Sequence, residues 1–216
     1  MLPTIAVTGT AEIQVVPDQV NFRLRVTKSD KSLIAAKAQN DANIAKLLDL
    51  TKKFEIASTD VKTDFISVNE KYDKVKQNDS DELTEVFVGY TVSRTIIVRL
   101  RNLKRFEAFF SEIVQMGVTE VSDVTFESSE LRKFKDQARA MAIRAAKEKA
   151  EAIAKEIGQS IGRAISISEE NVDGFRSSSS NASQNSFSGD SSGVNQDIAI
   201  GTISVRAEIK VEFLLN

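Results

Sequence analysis

Apolar and polar residues alternate near both ends of the chain, and this period-two pattern predicts half-buried β-strands. The first strand is predicted over 5–15, and Pro17 and Asp18 then interrupt the pattern because proline cannot donate to a ladder. Alternation resumes over 20–26 and is clearest over 205–213. Further strands are predicted at 61–72, 86–100, 118–126 and 161–168. Since most strands alternate, one face of the sheet is expected to be solvated.

Two helices are predicted from apolar residues at helical spacing in the first half of the chain. Ser29 or Asp30 is predicted to cap the first helix, which runs to about Lys53. The second helix lies within 103–114, and Gly117 is expected to end it.

The longest helix is predicted to begin at Ser128 or Ser129 and to end at Gly158. Its apolar stripe is rich in alanine, and such small side chains allow a neighbouring backbone to approach closely. Four of the alanines recur at four-residue spacing and share one face. The predicted stripe consists of Leu131, Phe134, Ala138, Met141, Ala142, Ala145, Ala146, Ala150, Ile153, Ala154 and Ile157.

The predicted order of elements is ββαββαβαββ, which indicates an α+β fold with largely antiparallel sheets and helices packed on one face. We expect a single domain over 1–216 with a protruding β-hairpin lobe around 60–100. The stretch 173–197 is rich in serine, asparagine and glycine and is expected to be a flexible loop that is dispensable for folding.

The chain of 216 residues contains no histidine, cysteine or tryptophan. This composition excludes Ser-His-Asp and Cys-His triads, zinc fingers, iron–sulfur clusters and dithiol chemistry. A formal net charge of −2 argues against nucleic-acid binding. No apolar run is long enough for a transmembrane helix, and no signal peptide is recognisable, so the protein is either cytosolic or has lost a leader.

Asp60, Thr63 and Asp64 form the first group of residues that could carry chemistry. They lie where a helix is followed by a strand, and a carboxylate pair there could supply a general acid and base if burial raised one pKa. The simpler interpretation is turn capping, because Asp and Thr bond their own backbone at such places.

Asp79, Asp81 and Glu82 form a second, acidic group that suits calcium through its oxygen ligands. A calcium loop also needs spaced acids and a glycine at its turn, which this stretch lacks, so we expect a solvated hairpin tip and no metal site. Neither the sequence pattern nor the composition indicates a cofactor.

Positive charge is concentrated at five positions, and a solvated sheet face is favoured there over a phosphate site. We expect cross-strand pairs with Glu208 and Glu212 to neutralise part of this charge. The five residues are Arg94, Arg99, Arg101, Lys104 and Arg105.

Taken together, several short motifs resemble the SIMPL domain family over nearly the whole chain. They are V-T-G-T-A with V-P-D at the start, D-V-K-T followed by I-S-V, G-Y-T-V, and the alanine-rich helix with its two following glycines. At 54–56 this chain has Phe-Glu-Ile where the family has a Gly followed by Ile or Val. The motif positions are Gly9, Pro17, Asp18, Asp60, Thr63, Gly89, Tyr90, Ala146, Ala150, Ala154, Gly158 and Gly162.

This resemblance implies an α+β fold, export to the periplasm or cell surface, and homo-oligomers that are ring-like in some members. It also implies roles such as envelope stress protection, and it carries over no catalytic residues. Two functions remain open at this point: a non-enzymatic envelope protein that self-associates or binds a partner, and a hydrolase or lyase that uses Asp60 and Asp64.

Overall fold

The computed structural model describes residues 2–76, 83–170 and 201–216. The elements follow the predicted order, and the α+β class is confirmed. The strands are β1 (Thr4–Val15), β2 (Gln19–Asp30), β3 (Val61–Lys76), β4 (Leu83–Leu100), β5 (Glu120–Glu127), β6 (Ile161–Glu170) and β7 (Ile203–Leu215). The helices are α1 (Leu33–Lys53), α2 (Phe106–Gln115) and α3 (Leu131–Glu156).

The described chain forms two compact units, and the first comprises 2–17, 127–170 and 201–216. Its sheet has the order β1-β7-β6 with antiparallel neighbours. Helix α3 packs on β1 and β7. Alternate residues of β7 from Ile203 to Phe213 are buried against this helix, as the alternating pattern predicts.

Helix α3 contacts the sheet through alanine. Ala138, Ala142, Ala146, Ala150 and Ala154 have no exposed surface. The backbone of Gly9 in β1 lies so close to α3 that a Cβ there would be 2.1 Å from the Ala142 carbonyl oxygen and 2.8 Å from the Ala146 Cβ. The close approach expected from the alanine spacing is therefore confirmed. The predicted stripe was too wide, since Met141, Ile153 and Ile157 are more than one third exposed.

The second unit comprises 18–76 and 83–126, and its sheet has the order β3-β4-β2-β5. Alternate residues of β2 and β4 point into an apolar core. Aromatic rings of α2 complete this core, with the Phe22 ring centroid 5.3 Å from that of Phe106 and 5.2 Å from that of Phe109. Stacked and edge-on rings at these separations stabilise a core beyond the area they bury.

Helix α1 packs on β2 and β4 through a stripe that includes a polar residue. Asn40 is fully buried between Ala36 and Ile44, and its Nδ2 donates to the carbonyl oxygens of Val26 at 2.8 Å and Val92 at 3.2 Å. The side chain thus joins α1 to both strands. The hydrophobic pattern did not identify Asn40 because a polar residue at a core position is indistinguishable from a break in the stripe.

The predicted caps of the two long helices are wrong by a few residues. Ser29 and Asp30 belong to β2, and the Asp30 carboxylate accepts from the backbone N–H of Ser32, just before α1. Helix α3 begins at Leu131, and Ser128 Oγ accepts from the N–H of Glu130. In both cases the capping side chain acts on the turn that precedes the helix, a local bond that such residues form readily.

Helix α1 ends in a Schellman motif. The N–H of Glu55 donates to the Lys52 carbonyl and the N–H of Ile56 to the Thr51 carbonyl, each at 2.9 Å. Glu55 has φ +58°, the left-handed conformation that glycine adopts at lowest cost. The Gly-to-Glu departure at this position therefore leaves the turn geometry intact, and the chain accepts backbone strain there.

We expect Glu55→Gly to raise the free energy of unfolding by about 0.5–1 kcal/mol, because relief of the left-handed strain exceeds the loss of an exposed ion pair with Arg105. Chemical denaturation would measure the change. Glu55→Ala is the matched control, since it removes the same ion pair and keeps a Cβ. Equal stability of the two variants would contradict this account.

The predicted loop over 173–197 lies outside the described residues, as does the tip of the β3–β4 hairpin. The single domain over 1–216 stays a prediction. Among the helices of the described ranges, none combines the length and the apolar character needed to span a membrane.

Candidate functional site

The carboxylates predicted as a catalytic pair are each held by arginine. Both oxygens of Asp60 accept from Arg101, at 2.7 and 2.8 Å, and Arg99 lies 3.7 Å away. The hydrogen bond from Arg101 is the main cause that lowers the pKa of the Asp60 carboxyl, and burial opposes it. A general acid needs a raised pKa, so the environment of Asp60 favours a fixed carboxylate over an acid.

Asp64 forms a separate ion pair across the sheet. Its carboxylate accepts from Arg23 of β2, and it lies at a register shift of β3 between Thr63 and Phe65. Thr63 itself is opposite Ile96 in the ladder. Asp60 and Asp64 are therefore bound by different arginines, an arrangement that offers no shared proton and does not favour the hydrolase or lyase hypothesis.

Asp60 should make the protein sensitive to acid. A carboxyl with a lowered folded pKa stabilises the fold above its unfolded value, near 3.8, and this contribution is lost as the pH falls through the lower folded pKa. We expect Asp60→Asn to be less stable at neutral pH and to lose less stability below pH 3.8 than the wild type. Urea unfolding at a series of pH values would measure both.

The control for this prediction is Asp49→Asn, because Asp49 is 73% exposed and pairs with Lys52 on the surface of α1. At neutral pH, Asp49→Asn should be destabilised much less than Asp60→Asn, because its ion pair is exposed. If Asp60→Asn keeps the wild-type profile, the arginine pair does not contribute to stability in the way proposed.

The four arginines of the predicted cationic group have acidic partners in their own unit. Arg94 donates to Asp41 at 2.8 Å and Arg105 to Glu55 at 2.8 Å. The predicted pairing with Glu208 and Glu212 is wrong, because these residues lie in β7 of the other sheet, where Glu208 contacts Arg206 at 3.3 Å. Charge pattern alone does not tell which strands share a sheet.

The β3–β4 hairpin extends beyond the rest of its sheet. Strand β2 pairs with β4 only from Tyr90 to Leu100, whereas β3 pairs with β4 down to Leu83. We call the segment formed by 71–76 and 83–89 the ribbon. Within it β4 has β3 as its one ladder partner among the described strands. The protruding lobe around 60–100 stays a prediction.

The hairpin carries apolar side chains that are exposed. Strand β3 is at the edge of its sheet, and helix α1 lies on β2 and β4. Eight apolar or aromatic side chains of β3 and the ribbon are 45–59% exposed: Phe65, Ile66, Val68, Tyr72, Val75, Leu83, Val86 and Phe87. The sequence predicted six of these residues to lie in strands, whereas Val75 and Leu83 fell between the predicted strands at 61–72 and 86–100. The one local sign that β3 is an edge is the adjacent pair Phe65 and Ile66, which breaks the alternation beside the register shift.

Three aromatic rings hold the base of the ribbon. The Phe87 ring centroid lies 5.8 Å from that of Tyr72 and 5.2 Å from that of Tyr90, both edge-on. The Tyr72 hydroxyl donates to Glu70 at 2.6 Å, and this bond is the main cause that raises the pKa of Tyr72. These contacts give the ribbon a defined conformation in spite of its exposure.

The family-motif residues do not converge on one pocket. Gly9 contacts the buried alanine face of α3, to which Ala146, Ala150 and Ala154 belong. In the other unit, Asp60 lies against Arg101, and Gly89 lies against the backbone of Asp30. The remaining motif positions are Pro17 and Asp18 before β2, Thr63 in β3, Tyr90 in β4, Gly158 after α3, and Gly162 in β6. Where their contacts are described, these residues serve packing and turns, and a functional role for them stays a prediction.

The weak metal candidates Asp79, Asp81 and Glu82 lie outside the described residues. Within the residues that the structure does describe, no three acidic side chains are grouped in a way that could hold a metal ion.

A family match over almost the entire chain decides its classification. The SIMPL family, described as a protein of unknown function (DUF541), matches residues 5–213. The chain belongs to the SIMPL family. The match includes strands of both sheets and all three described helices, so the resemblance seen in the short motifs is confirmed.

Relatives of this SIMPL chain include two kinds of bacterial protein. The 26 kDa periplasmic immunogenic protein of Brucella melitensis is 31% identical over 166 residues, which are 76% of this chain and 66% of that protein. The uncharacterized protein YggE of Edwardsiella ictaluri is 28% identical over 165 residues, 76% of this chain and 67% of the relative. YggE of Escherichia coli K12 is 26% identical over 165 residues, with 76% and 65% covered. The matched region spans about two thirds of the length of these relatives, and their names state no enzymatic activity.

Proposed function

We propose that this SIMPL protein is a non-enzymatic protein of the cell envelope that acts by self-association. The observation that carries the proposal is the exposed apolar surface of β3 and the ribbon. Exposed apolar side chains that cluster along one element are a common feature of interaction sites. A long, unpaired edge strand also offers backbone donors and acceptors to a second strand.

The ribbon would gain stability from a partner. A two-stranded ribbon is marginally stable in water, because it lacks a third strand or a helix to bury its side chains. Burying apolar surface contributes about 25 cal/mol per Å². Contact with another subunit would therefore stabilise both the assembly and the ribbon itself.

A second apolar edge supports a ring-like assembly. Strand β6 is at the edge of the three-stranded sheet, and its Ile165 and Ile167 are 46% and 64% exposed. Contact between two different surfaces of identical subunits is heterologous, and it closes into a ring when the rotation allows. The edges β3 and β6 are two such surfaces, and both belong to the described part of the chain.

The location that we propose is the periplasm, with a role in envelope stress protection, and the cytoplasm is the alternative location. The support is the Brucella melitensis relative, whose name states that it is periplasmic. A protein that works by assembly needs no titratable group near neutral pH, and the lack of histidine and cysteine agrees with this mode of action.

Light scattering of purified protein tests the self-association. We expect the wild type to have the mass of a multimer, and Val68→Lys and Val86→Lys to shift it towards the monomer, because each removes exposed apolar surface without opening a core. Ile167→Lys should have the same effect if β6 takes part in the contact.

Val114→Lys is the matched control, since Val114 is an apolar residue of α2 that is 59% exposed and distant in sequence from both edges. It should keep the wild-type mass. A monomeric wild type, or variants that all retain the wild-type mass, would refute self-association through these edges.

A further inference from the structure

A pocket of about 250 Å³ lies in the second unit, between the end of α1 and the end of β4. Part of its wall is apolar and part is cationic. Its apolar lining comes from Phe54, Ile56 and Leu100, and its guanidinium groups belong to Arg99, Arg101 and Arg105. An apolar wall with a few convergent charged groups is the usual character of a small-molecule site.

Arg105 is held in a fixed orientation at this pocket. Its guanidinium carbon lies 5.0 Å from the centroid of the Phe54 ring, and one terminal nitrogen donates to the Phe54 carbonyl at 3.0 Å. The stacking and the backbone bond orient the planar group before any ligand arrives. A preorganised guanidinium with donors in a fork geometry suits bidentate binding of a carboxylate.

The two carboxylates that line the pocket are engaged to different degrees. Asp60 is 7% exposed and gives both oxygens to Arg101. Glu55 is 85% exposed, and it contacts Arg105 at 2.8 Å. An ion pair with such an exposed partner is weak, so a ligand can replace Glu55 at little cost.

The backbone conformation of Glu55 gives a second reason to infer that its carboxylate occupies the position of a ligand carboxylate. Its backbone is in the left-handed region at φ +58°, where glycine would be more stable. The strained turn places a carboxylate on Arg105, and both residues line the pocket. Strain of this kind gathers at ligand-binding sites.

We propose that this pocket binds a small organic carboxylate. The ligand's carboxylate takes the place of Glu55 on Arg105, and its apolar body lies against Phe54, Ile56 and Leu100. Arg99, which shares Asp60 with Arg101, supplies additional positive charge. This function is separate from self-association and does not depend on it.

Isothermal titration with sodium benzoate tests the proposal, with benzyl alcohol as a neutral ligand of similar size and inorganic phosphate as an oxyanion without an apolar body. We expect saturable binding of benzoate and much weaker binding of the other two. Glu55→Gln should bind benzoate about 2- to 5-fold more tightly, since it removes the competing carboxylate. Arg105→Met should abolish binding.

Arg105→Lys keeps the positive charge but loses the forked pair of guanidinium donors, so it should bind benzoate much more weakly than the wild type. This variant tests the proposal if Arg105→Met does not fold. Arg25→Met, at an arginine of β2 that pairs with Glu120, is the matched control and should bind as the wild type does. The proposal fails if benzoate does not bind saturably, if benzyl alcohol or phosphate binds as tightly, or if the Arg105 variants retain wild-type affinity.

Discussion

Ala146→Leu is expected to lower the free energy of unfolding by about 1–3 kcal/mol or more, although leucine is a good helix former. Ala146 is fully buried, and its backbone nitrogen lies 2.4 Å from where a Cβ on Gly9 would be. The added atoms have no space between α3 and β1, so the helix must move away from the sheet. Each alanine contact along the helix would weaken as it does so.

Urea unfolding of Ala146→Leu and Ala140→Leu would measure this effect. Ala140 is exposed on the same helix and undergoes the same change in helix propensity. Ala140→Leu should keep wild-type stability within about 0.5 kcal/mol, as surface substitutions usually do. Equal stability of the two variants would mean that the alanines serve helix propensity alone.

Gly89→Ala is expected to destabilise the second unit by about 2–4 kcal/mol, from backbone strain and overpacking together. Gly89 has φ +147°, and a Cβ there would lie 2.4 Å from the carbonyl oxygen of Asp30. The residue is where β4 passes from the ribbon into the sheet. Relief of the clash would have to separate β4 from the end of β2.

Gly117→Ala separates strain from overpacking. Gly117 also has a positive φ, +77°, but no atom lies within 4 Å of where its Cβ would be. Its substitution should cost only about 1 kcal/mol, the strain alone. Thermal unfolding of both variants would show the difference, and equal losses would contradict the close approach of Gly89 to Asp30.

The sequence predicted most of the elements because burial of one face makes apolar residues recur at regular spacing along the chain. Alternation placed β1, β2 and β7, and four-residue spacing identified the alanines that contact Gly9. These are local patterns, and each unit of the fold buries the face that the pattern marks.

The sequence did not predict how the strands divide into two sheets. Strand β1 pairs with β7, which is distant in sequence, and no local pattern indicates which strands pair. Because the pairing could not be predicted, the arginines were assigned the wrong partners and the edge at β3 was not recognised. Asn40 was missed for another reason, since its role depends on two strand carbonyls that only the folded chain brings to it.

The repeated alanines of α3 have a consequence for how the helix finds its place. A slip by four residues would bring another alanine pair, such as Ala138 and Ala142, over Gly9 with the same fit. Small-residue complementarity therefore allows several positions of α3 along β1 and does not select one of them. The position of the helix must be selected by contacts that do not repeat, such as Arg139 with Glu169 and Lys149 with the Thr8 carbonyl. Those polar contacts would fix the register of α3 on the sheet even if they add little to stability.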